Sequence, residues 1–179
     1  MQERTLVIVK PDAYGRGLTG TIVARLEQRG LALEAIRISR GEAEMVEDHY
    51  PRSAEWLAIV GGKTLDDYAR LGISARDKLD TDDAVEIGRM VRKWLTEFML
   101  SGPVVPMVVS GNRAIETVRK IVGATLPVAA LPGTIRGDFS SDSADLANEE
   151  LRPVLNLVHA SGDPEEAARE IKLWFPDLG

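Results

Sequence analysis

The sequence contains no cysteine, which excludes disulfides and thiolate metal centres and agrees with a reducing, cytoplasmic setting. It has no excess of positive charge: 22 Lys and Arg against 28 Asp and Glu leave a formal net charge of -6. Neither nucleic acid nor an anionic membrane is therefore an expected partner. No apolar run approaches the ~18 residues of a membrane-spanning helix, and "MQERTLVIVKPD" carries no leader-like apolar stretch, so a soluble intracellular protein is expected. Internal repeats and low-complexity tracts are missing as well. What is left, 44% hydrophobic and 28% charged over 179 residues, is the composition of a globular chain, expected as a single domain over 1–179.

Pattern supplies the elements. "TLVIV" (5–9) is a β-branched run suited to a strand buried on both faces, ended by Lys10-Pro11. A helix is expected from about Thr19, with Ile22, Val23 and Leu26 on one face and Gly30 as its stop. "LALEAIRIS" switches its apolar parity from Leu31 and Leu33 to Ile36 and Ile38, which predicts a bulge near Ala35. Residues 41–100 read as helices in pieces, with caps at Thr64 and at Thr81 or Asp82, and an apolar stripe through Val85, Gly88, Val91, Leu95 and Phe98. "PVVPMVV" (103–109) reads as a strand whose Pro106 favours an edge or a bulge. A helix over Arg113–Val122 ended by Gly123, a loop-rich stretch over 124–153, the apolar "VLNLV" and a last helix complete the chain. Hairpin signals are scarce, so a small mixed or antiparallel sheet with helices packed on it is expected.

"VGGKT" (60–64) has the tail of a phosphate-binding P-loop, but Leu57 stands where that loop needs its first glycine. It is read as a turn before a helix capped by Thr64.

One of only two histidines lies in "NLVHASGD" (156–163), just ahead of a well-specified helix start: Asp163 as cap, Pro164 next, Glu166 three residues on. Ala167, Ile171 and Trp174 form that helix's apolar face, while Glu165 and Arg169 pair towards water. Glu170 faces Glu166 at i,i+4 and needs another partner. The turn "ASGD" brings Glu170 within reach of His159, and a carboxylate on one ring nitrogen would leave the other as a nucleophile. These residues alone also admit a bland reading, in which His159 bonds a nearby carbonyl. His49 is expected at a helix end, solvated and without part in the chemistry.

Further segments decide between the two. "VIVKPDAYGRGLTG", "VRKIVGAT", "PGTIRGDF", "NLVHASG" and "EIKLWF", in this order, closely resemble the nucleoside diphosphate kinase family. The resemblance implies a ferredoxin-like α/β sandwich, with helical residues at about 51–98 as an insertion, and a ping-pong transfer of the γ-phosphate of ATP or another nucleoside triphosphate. His159 would be its phosphate acceptor, supported by Ser161 and Glu170. Lys10, Arg119 and Arg136 would supply positive charge, Thr125 a hydroxyl donor, Asn156 contacts to the sugar and phosphate side, and Tyr50 the site tyrosine. Such chemistry needs positioning and cations more than covalent help. The resemblance also implies Mg2+ carried with the nucleotide phosphates, and a homo-oligomer. An alternative is a catalytically degenerate relative that serves as a nucleotide-binding or scaffold protein.

The chain departs from the family pattern in three places. Val91 falls where the family stacks an aromatic on the base, so broad base tolerance with weak nucleotide binding is expected; Trp94, Trp56 or Phe98 are the candidate substitutes. "SSDSADLANEELRP" lengthens the loop between Arg136 and Asn156. Ala160 and Gly162 follow the histidine, with Asp163 one step later than the usual aspartate, which shifts any outer contact to magnesium.

Overall fold

The computed structural model describes residues 2–178. Its elements are β1 (Gln2–Val9), α1 (Pro11–Gly15), α2 (Thr19–Glu27), β2 (Ala32–Ile36), α3 (Ala43–His49), α4 (Ala54–Leu71), α5 (Ala75–Leu79) and α6 (Ala84–Leu100), followed by β3 (Val105–Asn112), α7 (Ala114–Val122), α8 (Ile135–Phe139), α9 (Ala144–Glu149), β4 (Val158–Ala160) and α10 (Pro164–Trp174). The four strands form one antiparallel sheet in the order β2-β3-β1-β4. That order, reached through helical crossovers, is the ferredoxin-like arrangement.

β1 is the centre of the molecule because both its faces are covered. Val7 and Val9 pack towards α2 and α7, with Ile22, Leu26, Val118 and Val122. Leu6 and Ile8 pack towards α3 and α10, with Val46, Ile171 and Trp174. A strand sandwiched this way reads as a continuous apolar run, as "TLVIV" does.

The bulge in β2 falls where the parity switch put it, between Leu33 and Ala35. Beyond it Ile36 and Ile38 remain 44% and 66% exposed, because β2 is an edge strand with no further neighbour to cover them. Pro106 lies in a central strand, not at an edge. Its carbonyl accepts from Arg37 N just past the end of β2, and pairing resumes only at Ser39 with Val104. The donor it lacks would have pointed into that gap in the ladder.

Two sequence readings of the 41–100 block are corrected. Residues 60–64 are no turn: they lie inside α4, whose cap is Ser53. Gly61 is the reason for the misreading, since it meets Gly88 at the contact where α4 crosses α6; a Cβ on Gly61 would sit 1.8 Å from Ala84 O, and one on Gly88 2.1 Å from Leu57 O. Glycine marks close backbone approach here, where its usual reading is a turn. The caps of α5 and α6 are Ser74 and Asp83, and Thr81 instead bonds Glu86. The expected loop 124–153 contains α8 and α9. No helix among the described residues is long and apolar enough to cross a membrane.

Candidate active site

β4 is only three residues long, and it carries His159 opposite Ile8 of β1. The register puts the imidazole on the sheet face covered by α3 and α10. The Asp163 side chain accepts from Glu166 N to start α10. Two turns on, Glu170 reaches back: its Oε2 lies 2.8 Å from His159 Nε2 and accepts from Ser161 Oγ at 2.7 Å. With Nε2 engaged, Nδ1 is the nitrogen whose lone pair remains for chemistry. Burial, reinforced by Lys10, pushes His159 well below the ordinary histidine range, so the ring is neutral. Burial raises Glu170, and His49 and the Ser161 hydrogen bond oppose that rise.

The partner that the Glu166–Glu170 spacing called for is therefore His159. Glu166 turns to Gly162 N instead. Arg169 does not spend itself on Glu165: it donates to the His49 carbonyl and reaches Glu170 Oε1 at 3.5 Å.

One cavity of about 1130 Å³ opens onto His159 and is also lined by Lys10, Tyr50, Arg119, Thr125, Arg136 and Asn156. Ser161 and Glu170 stand behind the histidine and do not line it. Lys10 follows β1 directly and is buried; its Nζ donates to Asn156 Oδ1 at 2.8 Å, and Asn156 Nδ2 donates to Thr125 O. Burial first, then the Arg136 charge, lowers the Lys10 ammonium to about 8, with Asp12 pulling the other way. Arg136 spends its guanidinium on the carbonyls of Asn156, Gly123 and Val158, and burial lowers it to about 10. Arg119, one turn before the end of α7, is the exposed cation of the set. Three cations around a neutral, carboxylate-backed imidazole make a place to hold phosphate oxygens while a ring nitrogen attacks phosphorus.

The apolar wall is aliphatic. Leu95 of α6, Val122, Ala129 and Leu131 line it beside Tyr50, whereas Trp56, Trp94 and Phe98 do not; Trp94 packs within the α4–α6 block. Tyr50 is the residue just after α3, and its hydroxyl is pushed far up by burial and by Glu170.

His49 is not solvated as expected. It does end α3, but it is buried, and its ring meets those of His159 and Trp174 edge-on at 4.5 and 5.8 Å. Burial first, then the neighbouring His159 ring, lowers it to about 3. The sequence signal for a buried histidine was Val46, three residues earlier on the same helical face. Arg92 also escaped the sequence reading: from α6 it pairs with the Glu47 carboxylate at 2.7 Å and donates to the carbonyls of Glu47 and Tyr50, clasping the end of α3. His49, His159 and Glu170 lie close enough to share a metal ion. Two of the ring nitrogens are engaged, however: His49 Nδ1 accepts from Trp174 Nε1, and His159 Nε2 donates to Glu170.

A carboxylate-backed histidine facing clustered cations on a ferredoxin-like sheet defines a phosphotransferase. The nucleoside diphosphate kinase family model matches residues 3–57 and 83–178. A nucleoside diphosphate kinase of Pyrobaculum aerophilum is 54% identical, covering 97% of this chain and 94% of that protein. One of Mycobacterium tuberculosis is 38% identical over 98% of each. Among solved structures, an NDP kinase from Pyrobaculum aerophilum superposes with a TM-score of 0.96 at 52% identity, covering 98% of this chain and 96% of that one. A transition-state mimic of the Borrelia burgdorferi enzyme with bound vanadate and ADP gives 0.77 at 35% identity, covering 99% and 89%. The chain belongs to the nucleoside diphosphate kinase family, and it is an enzyme of that class.

Proposed function

We propose that this enzyme moves the γ-phosphate of a nucleoside triphosphate onto Nδ1 of His159 and from there onto a nucleoside diphosphate. In the first half, Nδ1 attacks the γ-phosphorus, the bond to the β-phosphate oxygen breaks, and the diphosphate leaves. In the second, a terminal oxygen of the acceptor diphosphate attacks the same phosphorus and the imidazole departs. The observation that carries this reading is the 2.8 Å contact from His159 Nε2 to Glu170, which fixes the ring and frees the nitrogen on the other side.

The roles follow from position. Lys10, Arg119 and Arg136 neutralise the equatorial oxygens, Thr125 adds a hydroxyl, Asn156 meets the sugar and phosphate side, and Tyr50 borders the reacting group. Ser161 and Glu170 orient His159 from behind. Mg2+ carried with the nucleotide would supply charge neutralisation to the phosphates. Asp163 fits a supporting role, since its Oδ1 is taken by Glu166 N and the rest of an exposed carboxylate stays open to the cavity. Exposed Ile36 and Ile38 on the edge strand, with Val128 and Leu131 near the cavity, support a homo-oligomer. A cytoplasmic setting suits a cysteine-free chain whose substrates are nucleotides.

The test is incubation with γ-labelled ATP and Mg2+. Acid-labile, base-stable label should appear on the protein, GDP should remove it as GTP, and His159→Ala should take up none. Nucleotide binding without any label would leave the degenerate, binding-only alternative standing.

A further inference from the structure

Behind His159 lies a second buried layer that the transfer itself does not use. The Trp174 indole N–H donates to His49 Nδ1 at 3.2 Å, and both residues are all but inaccessible, at 0% and 2% exposure. The same Nδ1 lies 3.7 Å from Glu170 Oε1. Glu170 thus presents one oxygen to His159 and Ser161 and the other to His49 and Arg169.

A neutral imidazole carries one proton, and its position is decided by its partners. A donor aimed at Nδ1 requires that nitrogen to be the acceptor, so the His49 proton sits on Nε2. In the other tautomer Nδ1 would carry a donor 3.7 Å from Glu170 Oε1, and a shift of under ~1 Å would bring the two within hydrogen-bond distance. That bond would draw negative charge away from the oxygen that holds His159.

We propose that Trp174 is a positioning residue acting through His49: by occupying Nδ1 it fixes the tautomer in which His49 gives no proton to Glu170, and so reserves that carboxylate for His159 and Ser161. This rests on the phosphotransfer reading above. The reserved carboxylate makes His159 Nδ1 more electron-rich as it attacks, and it offsets the positive charge the ring gains once phosphorylated. The groups facing His49 mostly work against its protonation: the Lys10 charge past the end of β1, the Arg169 charge on α10 and the neighbouring His159 ring on β4, with Glu170 alone favouring it and Tyr50 neutral beside it. The ring stays uncharged, and the tautomer is what remains to be controlled.

With two histidines in the chain, a long-range 1H–15N correlation spectrum of histidine-labelled protein reads both tautomers without ambiguity. The wild type should show the proton on Nε2 of His49 and on Nε2 of His159. In Trp174→Phe, His49 should switch to the Nδ1 proton, and His159 phosphorylation by ATP should slow by about tenfold while the ATP KM stays within about twofold. A general packing defect would move KM as well and would leave the tautomer alone. A wild-type His49 carrying its proton on Nδ1 overturns the proposal, as does a Trp174→Phe protein with unchanged tautomer or unchanged phosphorylation rate. If Trp174→Phe does not fold, the wild-type tautomer decides. Tautomers as expected in a protein that never takes up label would sink the phosphotransfer reading, and the positioning role with it.

Discussion

The Oε2 atom of Glu170 stands 2.8 Å from Nε2 of His159, and the same oxygen accepts from Ser161 Oγ at 2.7 Å. One buried oxygen therefore fixes the nucleophile and is itself fixed. In Glu170→Gln an amide oxygen can still accept from Nε2–H, but the charge that stabilises a phosphorylated ring is gone. The rate of His159 labelling is expected to fall ~10- to 100-fold with nucleotide KM within about threefold, because the lost interaction strengthens in the transition state. Ser161→Ala removes only the support and should cost less, about 3- to 10-fold. Single-turnover labelling by rapid quench measures both; equal losses in the two variants would contradict this ordering.

The aliphatic wall of the cavity makes a second prediction. Leu95 offers contact to any base but neither a π-face nor a hydrogen-bond donor, which supports broad base tolerance at modest affinity. Leu95→Phe adds a stacking surface and should tighten ADP binding at least about 5-fold, the lower end of ~1–3 kcal/mol for base stacking. Calorimetry with ADP, GDP and CDP tests it. If neither Leu95→Phe nor Leu95→Ala alters any of the three affinities, the base lies elsewhere.

Lys10 gives a pH signature. Burial and Arg136 lower its ammonium from 10.5 to about 8 in the folded state. Between those values the unfolded chain binds more protons than the folded one, so this group adds stability as pH rises from 8 towards 10.5, and that contribution is lost as pH falls through 8. Its ceiling is about 3 kcal/mol. Urea unfolding of the wild type and Lys10→Met across pH 7–10 should show the difference between them changing in the wild type's favour as pH rises. ADP binding near pH 8.5 should take up a proton as phosphate restores the charge, visible in buffers of different ionisation enthalpy. Proton uptake retained in Lys10→Met would assign it to another group.

What could be read from the chain follows the range of the interactions involved. The β1 run, the β2 bulge, the α10 start at Asp163 and the reach of Glu170 towards His159 are local, set by parity, capping and helical period, and they stand in the structure as read. The larger misreadings are cases where a distant element decides. "VGGKT" looked like a turn because nothing nearby says that α6 passes within backbone contact of Gly61. His49 looked solvated because Trp174 and His159, which enclose it, lie more than a hundred residues away. Pro106 made no sense until the gap in β2–β3 pairing was visible.

The glycine contact between α4 and α6 links that helical block to the cavity and carries the last prediction. A Cβ on Gly61 or Gly88 meets backbone oxygen at 1.8 or 2.1 Å, so Gly61→Ala or Gly88→Ala must push the helices apart. A loss of roughly 1–3 kcal/mol is expected in urea unfolding. Gly62→Ala is the control: its Cβ meets nothing within 4 Å inside the same helix, so helix propensity should make it neutral or stabilising by up to ~1 kcal/mol. The displacement should also reach the substrate, because α6 carries both Leu95 on the cavity wall and Arg92 on the end of α3. Gly88→Ala is therefore expected to weaken nucleotide binding several-fold while His159, held from β4 and α10, still takes up acid-labile label. Abolished labelling in a folded Gly88→Ala protein would mean that the helical block positions the histidine itself.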